Sequence, residues 1–251
     1  MRPAEGIRLE RPRGGGRADL TIAIPPVNVL DVGALEELGR TVGLAGDSSV
    51  LVLAGLPKAF SAGVAVADHV PETGPIDRML AAMRGVLEAL LACPAVTVAS
   101  ISGACLGGGA EIAAACDLAL ASDDARIGFP EVRLACFPPG AAALLPVRIG
   151  SSRAAEWILS GKTFSGRDAA AAGFVSRSVP AARLSEETDR LAERLLANGR
   201  DGLAAARELL RAERREALAR RLAPAEAAYR RLAGNEELAK AVREFGRRRE
   251  S

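Results

Sequence analysis

Two glutamates, each set just behind a glycine or proline element, carry the strongest chemical signal in this chain. Glu111 closes Gly107-Gly108-Gly109-Ala110-Glu111 at the head of an apolar helical run, and Glu131 closes Phe129-Pro130-Glu131. Upstream lies Lys58-Ala59-Phe60-Ser61-Ala62-Gly63-Val64. Glycine-rich turns release backbone N–H groups toward a ligand, and a helix start adds the positive end of its dipole. Two such N–H groups can hold a developing oxyanion while two carboxylates beside it move protons. These are the parts for acid–base chemistry next to a carbonyl, a thioester above all.

Each part also has a structural explanation. Phe60-Ser61-Ala62-Gly63-Val64 offers the Val64 N–H as one oxyanion donor, but its glycine equally serves a plain chain reversal. Gly107-Gly108-Gly109 carries an entropic cost that is tolerable where backbone approaches a ligand, with the Gly108 N–H as second donor. The same run also suits a tightly packed helix start. No Gly-Lys-Ser/Thr follows it, so it is not a P-loop, and no Gly-x-Ser-x-Gly elbow occurs anywhere. Glu111 in a first helical turn gains from the dipole whether or not it reacts, and Glu131 reads equally as a loop acid. His69 is the single histidine, which argues against a nucleophilic triad. It is either a substrate contact from the loop after the first glycine turn or a plain hydrogen-bonded histidine.

The elements that must position these residues alternate. Residues 20–24 read as a strand ended by Pro25-Pro26, and Asp31 as the N-cap of a helix to about residue 44. Val50-Leu51-Val52-Leu53-Ala54 is a continuous apolar run stopped by Gly55, the pattern of a strand buried on both faces. A loop over 56–75 leads to a helix over 76–93, stopped by Pro94. A strand over 95–101, a loop over 103–109, a helix over 110–115 and a strand over 117–121 follow. Short helices over 140–148, 151–160 and 168–172 and a strand over 174–179 complete an α/β core with a mostly parallel sheet. From about residue 184 the chain is rich in Ala, Leu, Glu and Arg. It predicts three or four amphipathic helices, with Gly202 and Pro224 as punctuation, packed on the core or on a neighbouring subunit. The many arginines of this tail read as a solvated face.

Bulk properties bound the rest. The chain has 251 residues, 49% of them hydrophobic, enough for one sizeable core. A net charge of +2 does not point to nucleic acid as partner. Cys93, Cys105, Cys116 and Cys136 have no Cys-x-x-Cys spacing and read as buried free thiols, so no metal site is expected. Residues 1–17 lack the apolar stretch of a signal peptide, and no run approaches the about 20 apolar residues that span a bilayer. The expectation is a cytoplasmic protein with no membrane partner.

Taken together, the three motifs resemble the crotonase (enoyl-CoA hydratase/isomerase) superfamily. The resemblance runs through Pro25-Pro26-Val27-Asn28-Val29-Leu30 and through residues 58–64, 103–117 and 129–150. It implies a crotonase-like spiral of ββα units over residues 1–183 and a C-terminal helical trimerisation region over 184–251. A homotrimer or dimer of trimers is implied as well. The implied substrate is an acyl-coenzyme A thioester, with no bound cofactor beyond the coenzyme A that the substrate carries. Its carbonyl oxygen would lie between the N–H groups of Val64 and Gly108. Val27, Lys58, Ser61, Ala62, Val66, His69 and Gly107 would contact it. Family hydratases carry glutamate at both positions filled here by Glu111 and Glu131, whereas isomerases and hydrolases of the family often lack one. Water addition is therefore implied ahead of double-bond isomerisation or of non-catalytic acyl-CoA binding on the same fold. Where the common family loop reads Gly-Ala-Asp, this chain has Gly63-Val64-Ala65, a departure that weighs against straight-chain fatty acyl substrates. The following Val66-Ala67-Asp68-His69-Val70-Pro71-Glu72 and residues 131–139 resemble cyclohexa-1,5-diene-1-carbonyl-CoA hydratases of anaerobic benzoyl-CoA degradation.

Overall fold

A computed structural model describes residues 6–12, 15–69 and 73–250, without the side chains of residues 67, 73–75 and 245–250. Val70-Pro71-Glu72 of the resemblance, and part of the 1–17 stretch, lie outside the described residues. The chain opens with β1 (Gly6–Glu10), β2 (Arg17–Ala23), β3 (Val29–Leu30) and α1 (Val32–Leu44). Next come β4 (Val50–Ala54), β5 (Ala59–Ser61), β6 (Gly63–Val64), a 3-10 turn (Val66–His69) and α2 (Thr73–Ala92). The centre holds β7 (Val96–Ile101), β8 (Ala104–Leu106), α3 (Gly108–Ala115), β9 (Leu118–Ser122), β10 (Arg126–Gly128) and a 3-10 turn (Pro130–Leu134). Then follow α4 (Pro139–Ile149), α5 (Ser151–Ser160), β11 (Thr163–Ser165), α6 (Gly166–Ala172) and β12 (Arg177–Val179). The last helices are α7 (Leu184–Leu196), α8 (Arg200–Ala233) and α9 (Glu236–Glu250).

A strand of one sheet, a strand of the other and a helix recur along the chain, which is the ββα spiral implied by the resemblance. The larger sheet has the order β1-β2-β4-β7-β9-β12 and is parallel except for β1. The smaller runs β11-β10-β8-β5, with only β11 antiparallel. The unbroken apolar run of β4 follows from burial on both faces. Leu51 and Leu53 join the main core with α1 and α2, while Val50 and Val52 pack with Leu184 and Ala192 of α7. Asp31 caps α1 by accepting from the Ala34 N–H at 2.8 Å.

Three expectations need correction. Residues 103–109 are not a plain loop: they hold β8 and the start of α3, and the brevity of a three-residue strand hid it. Gly202 and Pro224 do not divide the tail, because both lie within the single helix α8. The solvated-face reading also fails for Arg211 and Arg214, which are buried. Arg211 donates to the carbonyls of Leu91 (3.3 Å), Cys93 and Ala95 (2.9 Å) and pairs with Asp117. Arg214 reaches Asp117 at 2.7 Å. These bonds fasten α8 to the ends of α2, β7 and α3. All four cysteines are free and buried.

Candidate active site

The site begins at Asn28, to which the sequence reading gave no role. This side chain is fully buried at φ 56°. Its Oδ1 accepts from the Ile24 N–H at 2.8 Å, and its Nδ2 donates to the carbonyls of Ala59 (2.9 Å) and Phe60 (3.0 Å). Ser61 Oγ donates to the Asn28 carbonyl at 2.7 Å and accepts from the Gly63 N–H at 3.1 Å. Asn28 thus holds β5 and the Gly63 turn against β3, which pairs with β6 in parallel. The signal available in sequence was a polar residue inside the apolar Val27-Asn28-Val29-Leu30, of a type that tolerates positive φ.

The Gly63 and Gly108 turns lie against each other. A Cβ at Gly108 would meet Val64 Cγ2 at 2.7 Å and the Val64 nitrogen at 3.6 Å, so no larger residue fits. Gly108 begins α3, where an N–H has no intrahelical acceptor. Val64 and Gly108 both line one cavity enclosing about 930 Å³, mouth included.

The two glutamates line the same cavity. Glu111 sits in the first turn of α3, is only 3% exposed, and accepts from the Ala141 N–H at 2.8 Å. That N–H belongs to the first turn of α4, so a second helix start faces this carboxylate. Burial raises its pKa to about 7, against the lowering effect of the Ala141 and Gly140 N–H groups. Glu131 lies on the Pro130–Leu134 turn, and its Oε2 is buried without a hydrogen-bond partner among the described residues. Burial, then the charge of Glu111, raise its pKa to about 8. Gly107, at φ 51°, is where a Cβ would stand 2.5 Å from Glu131 Oε1. The abutting Val64 and Gly108 turns and two carboxyls whose pKa values burial raises therefore line one cavity. Such a space suits proton transfer to and from carbon beside a carbonyl.

Of the remaining candidates, Ala62, Val66, His69 and Gly107 also line the cavity. His69 is buried, contacts the Tyr229 hydroxyl through Nδ1, and has its pKa lowered to about 4 by burial, so it is neutral. Val27, Lys58 and Ser61 are not in the cavity wall. The Val27 carbonyl accepts from the Ala62 N–H at 2.9 Å. Lys58 is exposed, its carbonyl accepting from the Ala104 N–H at 3.1 Å. Ser61 is turned to Asn28. The cavity also takes Leu222, Glu226 and Tyr229 from α8, and Met79, Leu80, Met83, Arg84 and Leu87 from α2. In the α8 sequence only the lone tyrosine of the chain hinted at this.

The sequence matches the enoyl-CoA hydratase/isomerase family over residues 14–251. It is 34% identical over 167 residues to a cyclohexa-1,5-dienecarbonyl-CoA hydratase of Thauera aromatica, covering 65% of this chain and 64% of that protein. It thus spans just under two thirds of that relative. It is 36% identical over 201 residues to a probable enoyl-CoA hydratase of Bacillus subtilis, covering 77% of this chain and 78% of that one. Among solved structures, an enoyl-CoA hydratase from Mycobacterium avium subsp. paratuberculosis shares the fold. The TM-score is 0.88 at 24% identity, over 98% of this chain and 97% of the other. By its sequence and by its arrangement of ββα units, the chain belongs to the enoyl-CoA hydratase/isomerase family, the crotonases.

Proposed function

We propose that this protein adds water across the conjugated double bond of an enoyl- or dienoyl-CoA thioester. One observation carries the reading: two carboxyls with raised pKa values share a cavity with the abutting Val64 and Gly108 turns. The thioester oxygen accepts from the Val64 and Gly108 N–H groups. Glu111, ionised, takes a proton from water as its oxygen bonds the β-carbon. The π electrons move onto the thioester oxygen as an enolate, which the two N–H groups stabilise. Each such donor is worth about 3–4 kcal/mol in measured cases. Glu131, protonated, delivers its proton to the α-carbon as the enolate collapses. The net change is one water added, and the two carboxyls exchange protons with solvent before the next turnover. Burial raises both pKa values, so the pair can hold one proton between its two carboxyls, as these roles require.

The acyl group we favour is the cyclic dienoyl one, supported by the Thauera relative. The test is mass spectrometry of the CoA products after incubation with crotonyl-CoA and with cyclohexa-1,5-diene-1-carbonyl-CoA. A gain of one water, lost in Glu131→Gln, is expected, with the cyclic substrate faster. A product of unchanged mass with a moved double bond would replace hydration by isomerisation, and faster crotonyl-CoA would remove the cyclic preference.

A further inference from the structure

The active-site cavity has an ionic partition that the hydration chemistry does not use. Arg84 on α2 and Leu222 on α8 line this cavity and also a second groove of about 680 Å³ between the same two helices. Between the two spaces, Arg84 Nε donates to Glu226 Oε1 at 3.0 Å, and Arg84 Nη2 bonds Glu226 Oε2. The Glu226 side chain is 3% exposed and that of Arg84 38%, so the carboxylate is inside while the guanidinium reaches the groove. The contact continues outward: Glu226 Oε2 lies 3.8 Å from Arg230 Nη1, and Arg230 Nε donates to Asp77 at 2.5 Å. Leu87, three residues beyond Arg84, abuts the Glu111 carboxylate, for both crowd the point where a Cβ would stand on Gly140 (2.6 and 3.0 Å). Three helical residues advance about 4.5 Å. Arg84 therefore stands about one helical turn from Leu87 along the α2 wall of the cavity.

We propose that the Arg84–Glu226 bridge is the length stop of the acyl site and confines this protein to compact acyl groups; this rests on the acyl-CoA reading above. A side chain in an apolar wall yields to a growing acyl chain by changing rotamer. A two-bonded charge pair with one buried partner resists, because parting it leaves the buried carboxylate with only the longer Arg230 contact at 3.8 Å. With the bridge removed, the cavity opens into the groove, and a long chain can pass between α2 and α8.

The test is calorimetric binding of butanoyl-, octanoyl- and dodecanoyl-CoA, which needs no turnover. Wild-type protein should bind dodecanoyl-CoA at least tenfold more weakly than butanoyl-CoA. Arg84→Ala should shift that ratio by at least tenfold toward the long chain, and Arg84→Lys, which keeps the charge but not the two-bonded fork, should shift it less. Arg84→Ser opens the same space and serves if the alanine variant does not fold. A ratio in the opened variants within twofold of wild type overturns the proposal, as does wild-type protein that binds both thioesters equally. Binding of butanoyl-CoA without hydration of any conjugated thioester would remove the hydratase reading and leave the length stop to be judged by the ratio. No acyl-CoA binding at all would remove both.

Discussion

Glu111 and Glu131 ionise close together in pH, and this sets what activity and stability should do as pH changes. With values of about 7 and about 8, the singly protonated pair peaks between them. The pH profile of kcat/KM should therefore be bell-shaped, with its limbs near those values as properties of the pair. Either Glu→Gln change should lower kcat by about 10²–10⁴-fold, read by initial rates of hydration. Stability should move the other way from that of a salt-bridged carboxylate. Each folded-state pKa is raised above the ordinary value of 4.5. The contribution to stability is thus fully present below that value and is lost as pH rises through about 7 and 8. Glu131→Gln mimics the protonated form, so its melting temperature should gain on wild type from pH 5 to pH 9; a constant difference across that range would contradict the raised value. At Gly107, alanine would combine an unfavourable backbone with a clash on Glu131 Oε1. A loss of about 1–3 kcal/mol on denaturant unfolding is expected, with a larger proportional loss in kcat than in substrate affinity. The two glutamates were legible in sequence because they sit in short glycine and proline contexts. Asn28 and Tyr229 were not, because the β5 partners of Asn28 lie 31 and 32 positions away and the His69 partner of Tyr229 lies 160 away.

At the scale of elements, α8 is fastened by charge. Burial raises the Asp117 pKa, but the Arg211 bond and charge outweigh it and hold it below its usual value. Thr97 adds two more bonds to the same carboxylate, from its N–H at 2.9 Å and its hydroxyl at 3.1 Å. Asp117→Ala would strand the fully buried Arg211, and a cost of about 3–5 kcal/mol in chemical denaturation is expected. The damage should reach the cavity too, because α8 carries Leu222 and Glu226 into its wall. Long elements such as α1, α2 and β4 were legible, since periodicity and capping accumulate over many residues. β5, β6, β8 and β10 have two or three residues each and are fixed by their neighbours, so no local pattern marks them.

For the whole molecule, the described surface leaves Leu209 and Leu210 of α8 at 78% and 75% exposure. Adjacent bare leucines on a helix fastened to the core support our proposal that the 184–251 region meets another copy in a trimer or a dimer of trimers. Light scattering behind size exclusion should give a trimeric or hexameric mass, and Leu209→Glu with Leu210→Glu should reduce it; a monomeric wild type would refute the assembly.

Every residue of α3 is buried, and apart from Glu111 and Ile112 all are glycine or alanine. Any larger side chain there must push against close-packed neighbours on all sides. In a saturation library this helix should be nearly intolerant, which fixes the acid–base end of the cavity in evolutionary time. Drift toward new acyl groups would then fall to the walls on α2 and α8 at positions away from Glu111.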